Sequence, residues 1–439
     1  MAKTPQPLPT AESKTGLRVL RGLARQRSLL PALEIMHADV GNIFQITLPS
    51  FDPAVVVGPE WNRYVLVTGR DKFLWRNERD PVTRLLRHGL LVEDGQSHDD
   101  LRALMEPGLG RRHVNTQIEA MVRHTDAILA EWQDGSQVDM LVEMRRIALL
   151  ILMGTLFGVD FRQDMDRLWR PILRAISYIS PGLWVIWPQI PRRGYKRPLQ
   201  DLDQYLYQII GSRRSRPGNS DDWLTHLITN GLSDDLIRDQ MLTMLIAGHD
   251  TSTALLAWCL YLLGRNPAAL VMAQTEVDDV TGDQPPNIHN LGSLHYLDQV
   301  IKESLRLYPP IHVGNRMVGE PLEACGYAIP ANTRVMYSIY LSHRDAALWP
   351  EVNSFKPERF DRAHRPTQPP FTYVPFGGGP RNCIGAAFAQ IEAKVVLARI
   401  LQSFDLTLAS QKVRPYMGAT LEPRPGVTMH IARRRFARG

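Results

Sequence analysis

The stretch that decides the fold is Phe376-Gly377-Gly378-Gly379-Pro380-Arg381-Asn382-Cys383-Ile384-Gly385. A phosphate-binding loop would end in Lys followed by Ser or Thr, and this one does not. A single Cys instead precedes a predicted helix, where free backbone N–H groups and the helix dipole favour an anion. A thiolate is stabilised in such a position, and the thiolate is the form of cysteine that binds a metal ion.

The surroundings of Cys383 decide between two interpretations of its thiol. A single cysteine is more often buried and inert than functional. The glycines of this loop, however, let the backbone approach a flat group closely, and Arg381 can pair bidentately with a carboxylate. The other cysteines, Cys259 in a predicted core helix and Cys325 in a turn, lack metal-ligand spacing to another Cys or His. We therefore expect Cys383 to be the metal ligand.

Helical periodicity dominates the chain from about residue 95 to residue 308. Ser233 is the predicted N-cap of a helix that runs to Gly264. At 1.5 Å per residue, this helix is about 45 Å long. Its middle is apolar nearly all round, which predicts burial. Further helices are predicted over about 293–307 and 384–404, with a small sheet near the N-terminus. The predicted fold class is mainly α with a small β region, in one domain without linkers.

The net charge of +6 lies at the two ends of the chain. Residues 1–27 carry six Lys or Arg and one Glu, the last seven residues carry four Arg, and the rest sums to −3. A nucleic-acid-binding protein would carry its basic patch on the folded body, so nucleic acid is not expected as a partner. We predict a basic tail or surface helix over 1–27, a single domain over 28–432 and a basic tail over 433–439.

The basic N-terminal segment has two interpretations. Solvated tails are the commoner one. The alternative is a surface helix in which residues 16–27 make peripheral contact with an acidic partner or lipid headgroups. Three leucines of this helix lie on one face between three arginines: Leu17, Leu20, Leu23, Arg18, Arg21 and Arg25. The most apolar stretch, residues 147–159, is too short for a membrane span. With few cysteines and no signal-peptide pattern, the chain is expected in the cytoplasm.

The cysteine loop resembles the haem-binding signature of the cytochrome P-450 superfamily, Phe-x-x-Gly-x-Arg-x-Cys-x-Gly. It matches the signature at every fixed position: Phe376, Gly379, Arg381, Cys383 and Gly385. The resemblance covers nearly the whole chain, because further motifs follow in the family's order. It implies the cytochrome P-450 fold, with haem b (iron protoporphyrin IX) between the long central helix and the Cys loop with the last helix. Cys383 would be the axial ligand of the iron.

A second motif is Glu303-x-x-Arg306, whose spacing places both side chains on one helical face. Most such pairs are surface ion pairs. The resemblance instead implies a buried network with Arg359 of the segment 357–360, which reads Pro-Glu-Arg-Phe. That network would hold the loop before the cysteine.

The third motif is Ala247-Gly248-His249-Asp250-Thr251-Ser252, midway along the predicted central helix. An Asp in an apolar helix is costly unless it has a task. By resemblance, Ala247 and Gly248 lie against the haem, and Gly248 leaves room for dioxygen. Thr251 would hydrogen-bond the oxygen and Asp250 would relay protons through water. The alternative is a helix distortion with a capped polar pair, and His249 receives no role.

Cationic side chains are implied for the two carboxylates of haem. His98-x-x-x-Arg102 and Arg316 resemble the family's propionate-binding residues, and Arg381 joins them. The alternative for His98 and Arg102 is an exposed pair on a helix.

The substrate is predicted from the family positions that line the pocket, which are mostly apolar: residues 85–87, Met244, Ala247, residues 311–313 and residues 417–419. Residues 172–190 would form an apolar mobile lid between two helices. We expect a hydrophobic substrate, such as a fatty acid, a terpenoid or a steroid-like molecule. Arg87 is a candidate anchor for a substrate carboxylate.

The reaction predicted by the resemblance is insertion of one oxygen atom from O2 into the substrate, a hydroxylation. No flavin, nicotinamide or iron–sulfur segment is present, so a ferredoxin or flavodoxin with its reductase would supply electrons. Arg102, Arg111 and Arg112 would help to form the docking face. Two alternatives are a haem-thiolate enzyme that uses or rearranges a peroxide, and a haem-binding sensor or carrier. Asp250 and Thr251 favour oxygen activation.

Overall fold

The computed structural model describes residues 5–26, 28–48, 50–182, 192–216, 222–361, 363 and 368–434. Helices dominate these residues, which confirms the predicted fold class. In chain order they are α1 (Ser13–Gln26), α2 (Leu30–Val40), α3 (Pro59–Arg63), α4 (Pro81–Leu86), α5 (Gly95–Met105), α6 (Arg111–Thr116), α7 (Ile118–Leu129), α8 (Met140–Leu156), α9 (Met165–Ile179), α10 (Lys196–Ser215), α11 (Trp223–Thr229), α12 (Asp234–Met244), α13 (Asp250–Arg265), α14 (Pro267–Thr281), α15 (His295–Leu307), α16 (Ile339–Ser342) and α17 (Ala386–Ser403).

The strands are short and form four separate sheets among the described residues. They are β1 (Ile43–Gln45), β2 (Ala54–Val56), β3 (Phe73–Leu74), β4 (Gln137–Asp139), β5 (Val313–Val318), β6 (Leu322–Ala324), β7 (Tyr327–Ile329), β8 (Arg334–Ser338), β9 (Phe404–Leu408), β10 (Arg414–Met417), β11 (Leu421–Arg424) and β12 (Thr428–Arg433). The largest sheet has the order β1-β2-β8-β5-β3, with β2 and β8 parallel and the other pairs antiparallel. The predicted N-terminal strands are thus completed by strands from much later in the chain.

The central helix is confirmed and contains a feature that the sequence did not predict. The Ser233 side chain accepts a hydrogen bond from the Leu236 N–H, so the predicted N-cap is correct. Between α12 and α13, residues Leu245–His249 form a π-type turn, so the chain is helical from residue 234 to residue 265. Helix α8, buried along most of its length, packs against α13. The π-type turn therefore lies in the middle of the core.

Two boundary predictions are wrong. The predicted lid over 172–190 begins too early, because α9 continues to Ile179 despite Pro171 inside it. The later part of the predicted lid, residues 183–190, lies outside the described residues. At the C-terminus, Arg433 closes β12, and Arg434 forms an ion pair with Asp278 at 2.6 Å, so both belong to the fold rather than to a tail.

Among the described residues, no single helix has the length and apolar composition of a membrane span. Only α12–α13 and α14 taken together meet those criteria, and they are bent by 114° at their junction.

Candidate active site

A cavity of about 1630 Å³ lies between the cysteine loop and the central helix. Phe376, Cys383 and Gly385 line it from the loop, and Ala247 and Thr251 line it from the helix. Its volume exceeds the roughly 300–1,000 Å³ of an ordinary small-molecule pocket. The cavity therefore has room for more than one bound molecule.

Cys383 lies where the loop turns into α17. Its backbone N–H donates to Phe376 O at 2.8 Å, and α17 begins at Ala386 with Gly385 as N-cap. Cys383 is exposed to the cavity. Desolvation by the surrounding protein raises the pKa of its thiol, whereas a backbone hydrogen bond from Gly385 and the positive charge of Arg102 act to lower it. The donors that favour a thiolate are thus in place around the sulfur, against the cost of its desolvation.

The glycines of the loop are required by its backbone. Gly379 has φ +67°, and a Cβ there would lie 2.5 Å from Leu66 O. Gly377 also has positive φ, at +70°. Gly248 on the central helix has a different reason, since a Cβ there would lie 2.9 Å from the Leu152 side chain of α8. Close packing against α8 therefore requires a glycine at position 248, apart from any space that the missing side chain leaves in the cavity.

The four predicted cationic residues all line the cavity. His98 is buried, which excludes the exposed-pair interpretation, and burial lowers its pKa. Arg102 donates to the backbone O and the Oδ1 of Asn382, both at 2.8 Å, and so braces the cysteine loop. Arg381 donates to Glu93 O at 2.7 Å.

Arg316 differs from the other three because, among the described residues, it is buried and has no carboxylate within ion-pair distance, although the charge of Asp94 still acts on it. Its guanidinium lies 3.1 Å from the ring centroid of Trp75 and donates to Asn315 O at 2.6 Å. It forms no ion pair with a carboxylate in the part of the chain that the structure describes. Burial lowers the pKa of Arg316 to about 10. A buried cation of this kind is ready to bind an incoming carboxylate.

The two predicted catalytic side chains of the central helix point to different partners. The Thr251 hydroxyl donates to Ala247 O at 2.6 Å, across the π-type turn. The Asp250 carboxylate is buried and accepts from Arg145 at 3.0 Å and from the Thr420 hydroxyl at 2.7 Å. Burial raises the pKa of Asp250, and Arg145 acts against this rise. The alternative of a capped polar pair therefore holds for Thr251, whose hydroxyl bonds to the helix backbone. Asp250 instead belongs to a buried group of charged side chains.

Several polar residues near the site were missed by the sequence reasoning. Glu392 on α17 is fully buried and accepts a hydrogen bond from Ser252 at 2.5 Å, and burial raises the pKa of Glu392 to about 8. Glu392 is the one acidic residue of α17 and lies between Ile391 and Ala393, which was a signal that could have identified it. His249 is fully buried, and neither ring nitrogen has a hydrogen-bond partner among the described residues.

The predicted Glu303–Arg306–Arg359 cluster is present and buried. Arg306 donates to both carboxylate oxygens of Glu303 at 2.7 and 2.8 Å, and Arg359 approaches Glu303 at 3.3 Å. Arg306 also donates to His343 O at 3.1 Å, and His343 Nε2 accepts from Val374 N at 2.9 Å. The cluster is thus connected through His343 to the segment that leads into the cysteine loop.

Most of the predicted pocket residues line the cavity, including Met244, residues 311–313 and residues 417–419. Of residues 85–87 only Leu86 does so. The predicted carboxylate anchor, Arg87, is instead paired with Asp203 at 3.0 Å. That prediction is wrong, because the guanidinium is already neutralised outside the cavity.

The donor set of this cavity fits haem. A thiol faces a slot bordered by glycines, and at the edge of this slot lies the buried guanidinium of Arg316, which forms no ion pair within the described part of the chain. Comparison with known proteins agrees, since the family model Cytochrome P450 matches residues 19–431. The chain belongs to the cytochrome P450 family and is a haem-thiolate monooxygenase, which uses O2 and a small-molecule substrate.

Individual relatives cover most of the chain. Cytochrome P450 139 of Mycobacterium tuberculosis is 31% identical over 393 residues, which is 86% of this chain and 91% of that protein. Cyclooctatin synthase of Streptomyces melanosporofaciens is 31% identical over 388 residues, 84% of this chain and 83% of that protein. The solved structure of retinoic acid bound cyanobacterial CYP120A1 superposes with a TM-score of 0.85 at 25% identity, covering 98% of this chain and all of that one.

Proposed function

We propose that this monooxygenase hydroxylates a hydrophobic molecule, such as a fatty acid, a terpenoid or a steroid-like compound. The observation that carries the proposal is the composition of the cavity beyond the cysteine loop, where Leu86, Met244, Ile311, Val313 and Met417 line it. Apolar walls favour an apolar ligand because binding removes both surfaces from water. The retinoic acid named for the cyanobacterial structure is itself a largely apolar molecule.

In this proposal Cys383 would bind the iron of haem b as a thiolate, and Phe376, Gly385, Ala247 and Gly248 would line the site of the ring. Haem, when bound, would supply the activation of O2 and the insertion of one oxygen atom into the substrate. His98, Arg102, Arg316 and Arg381 would hold its carboxylates, since all four line the cavity. Arg316 would contribute most to this, because it is buried and has no ion-pair partner among the described residues.

In this proposal Asp250 and Thr251 transfer protons at the wall of the cavity that the central helix forms. Asp250 holds a proton at a carboxylate oxygen, and water passes it to the Thr251 hydroxyl. The hydrogen bond from Thr251 to Ala247 O directs the remaining lone pairs of that hydroxyl away from the helix backbone. A Thr251→Ala variant should consume electrons without forming the matching amount of product. Full coupling in that variant would favour the peroxide-using alternative.

Electrons come from a ferredoxin or flavodoxin with its reductase in this proposal. Arg111 and Arg112 are exposed on α6, as a docking face for an acidic partner requires. Arg102 is mostly buried against Asn382 and contributes charge rather than contact. The Arg111→Gln/Arg112→Gln variant should receive electrons more slowly at low salt, and the difference should shrink as salt is added.

The substrate proposal is tested by titrating the haem-loaded protein with fatty acids, terpenes, sterols and small polar compounds. Substrate entry is read from the shift of the Soret band, and turnover is measured with surrogate redox proteins. We expect shifts only with the apolar compounds, followed by hydroxylated products. A preference for small polar ligands would contradict the substrate class, and binding without turnover would favour a sensor or carrier.

A further inference from the structure

The cavity extends from Cys383 to the protein surface beside α1. Leu17, Leu20 and Leu23 of α1 line its outer part, together with Leu48 and Phe51 from the turn between β1 and β2. Apolar side chains therefore form much of the rim where the cavity reaches solvent, beside the exposed Glu12 and Asp52. A ligand that enters here passes the leucines of α1 before it reaches the cysteine loop.

Leu17 and Leu20 are not used to hold α1 in place. They are 54% and 66% exposed, values that are high for leucine. The helix is attached through its opposite face, where Thr15 donates to Asp39 at 2.8 Å and Gly22 lies against Ile35. The two leucines therefore present an apolar strip that the fold itself leaves in water.

Cations border this strip on the side away from the cavity. Lys14, Arg21 and Arg25 are exposed on α1, whereas Arg18 is neutralised by Asp39 at 2.6 Å. At 100° per residue, the three exposed cations lie on the flank next to Leu17, and Leu23 lies on the cavity flank next to Leu20. An apolar strip with cations along its edge is the pattern of a helix that lies in the surface of an anionic membrane.

We propose that α1 binds the surface of an anionic lipid bilayer, with Leu17 and Leu20 among the acyl chains and Lys14, Arg21 and Arg25 at the phosphates. The bilayer fits better than an acidic protein because the leucine strip continues into the apolar cavity. A hydrophobic substrate dissolved in the membrane would then enter without crossing water. This last step rests on the proposed substrate class, whereas membrane binding does not.

The test is cosedimentation of the haem-loaded protein with vesicles of phosphatidylcholine alone or mixed with phosphatidylserine. We expect binding only to the mixed vesicles, weakened by added salt. Leu17→Ser/Leu20→Ser should weaken it at least tenfold, and Arg21→Gln/Arg25→Gln by about fivefold per arginine. Matched controls are Val271→Ser/Met272→Ser, which alters an exposed apolar pair on α14 (60% and 49% exposed), and Arg111→Gln/Arg112→Gln. Both controls should bind as the wild type does.

Failure of the wild type to bind mixed vesicles overturns the proposal, as does equal binding by the α1 variants. Binding of α1 to an acidic protein with no affinity for vesicles would also overturn it. The Soret titration with a water-dispersed apolar ligand should be unchanged in Arg21→Gln/Arg25→Gln, because neither arginine is among the residues that line the cavity. That measurement separates a failed membrane proposal from a failed substrate proposal, since it reports on the cavity without a bilayer.

Discussion

Arg145 on α8 donates from one nitrogen to both Asp250 and Glu422, at 3.0 and 3.1 Å. Glu422 on β11 is in turn paired with the partly exposed Arg424. The Asp250 charge in the central helix is thus balanced by a cation from a neighbouring helix and connected to the protein surface. Sequence motifs identify Asp250 but not this partner, which is 105 residues away along the chain.

Removal of Arg145 should destabilise the protein more at high pH than at low pH. Burial already raises the pKa of Asp250, and Arg145→Met would raise it further. A raised pKa means that the folded protein binds this proton more tightly than the unfolded chain does. The free energy of unfolding is therefore retained at low pH and falls as the pH rises. We expect a loss of about 3 kcal/mol at neutral pH, measured by denaturant unfolding. Asp250→Asn/Arg145→Met should lack the pH dependence, and a pH-independent loss in the single variant would contradict the assignment.

Glu303→Ala should yield little haem-loaded protein. The substitution leaves Arg306 fully buried without its carboxylate, at a cost of about 3–5 kcal/mol, and loosens the chain of contacts through His343 to the cysteine loop. The haem-to-protein absorbance ratio after purification measures the effect. Glu351→Ala is the control, because this glutamate is 61% exposed and its ion pair with Lys356 contributes little. Normal haem content in Glu303→Ala would show that the Glu303–Arg306–Arg359 cluster is not needed for haem binding.

The Tm of Glu392→Gln should depend less on pH than the Tm of the wild type does. The pKa of Glu392 is raised from 4.5 to about 8 by burial. Its contribution to stability is therefore fully present below pH 4.5 and is lost as pH rises through about 8. The neutral glutamine keeps a polar partner for Ser252 without this titration. Thermal unfolding of the haem-loaded protein from pH 6 to pH 9 tests the prediction, which fails if both proteins lose stability in parallel.

Arg316→Met should release haem faster than the wild type. The buried guanidinium lacks an ion-pair partner among the described residues, so a haem carboxylate would be its counter-ion. Haem transfer to an excess of apomyoglobin measures the rate, and loss of one charge-assisted contact of 1.5–3 kcal/mol corresponds to roughly tenfold or more. Arg344→Met is the matched control, because the Arg344 guanidinium likewise stacks on an aromatic ring, that of Tyr340, but is not among the groups that line the cavity. Equal acceleration in both variants would indicate general loosening.

The sequence predicted the parts of the site that depend on local pattern. The cysteine loop, the cap at Ser233 and the Glu303–Arg306 pair are each set by neighbours within a few residues. The family resemblance added the cationic set, because His98 and Arg316 come from distant elements that meet only in the fold.

The parts that were missed depend on packing between distant elements. Arg145, Thr420 and Glu422 surround Asp250 from α8 and the strand region near β11, and single-chain periodicity carries no information on such contacts. Arg87 was assigned to the pocket from its position alone, and its pairing with Asp203 of α10 became visible only in three dimensions. The lid was predicted from residue 172 by resemblance, so the continuation of α9 to Ile179 was missed.

The π-type turn at Leu245–His249 fixes the relative phase of the two halves of the central helix. A π-type turn takes up one more residue than an α-turn, and one residue corresponds to about 100° of rotation. Deleting any single residue here would convert the π-type turn into an α-turn and rotate the whole of α13 about its axis. Asp250 would then move away from Arg145, and Ser252 would move away from Glu392. The length of this turn is therefore as strict a requirement as the identity of the residues that follow it.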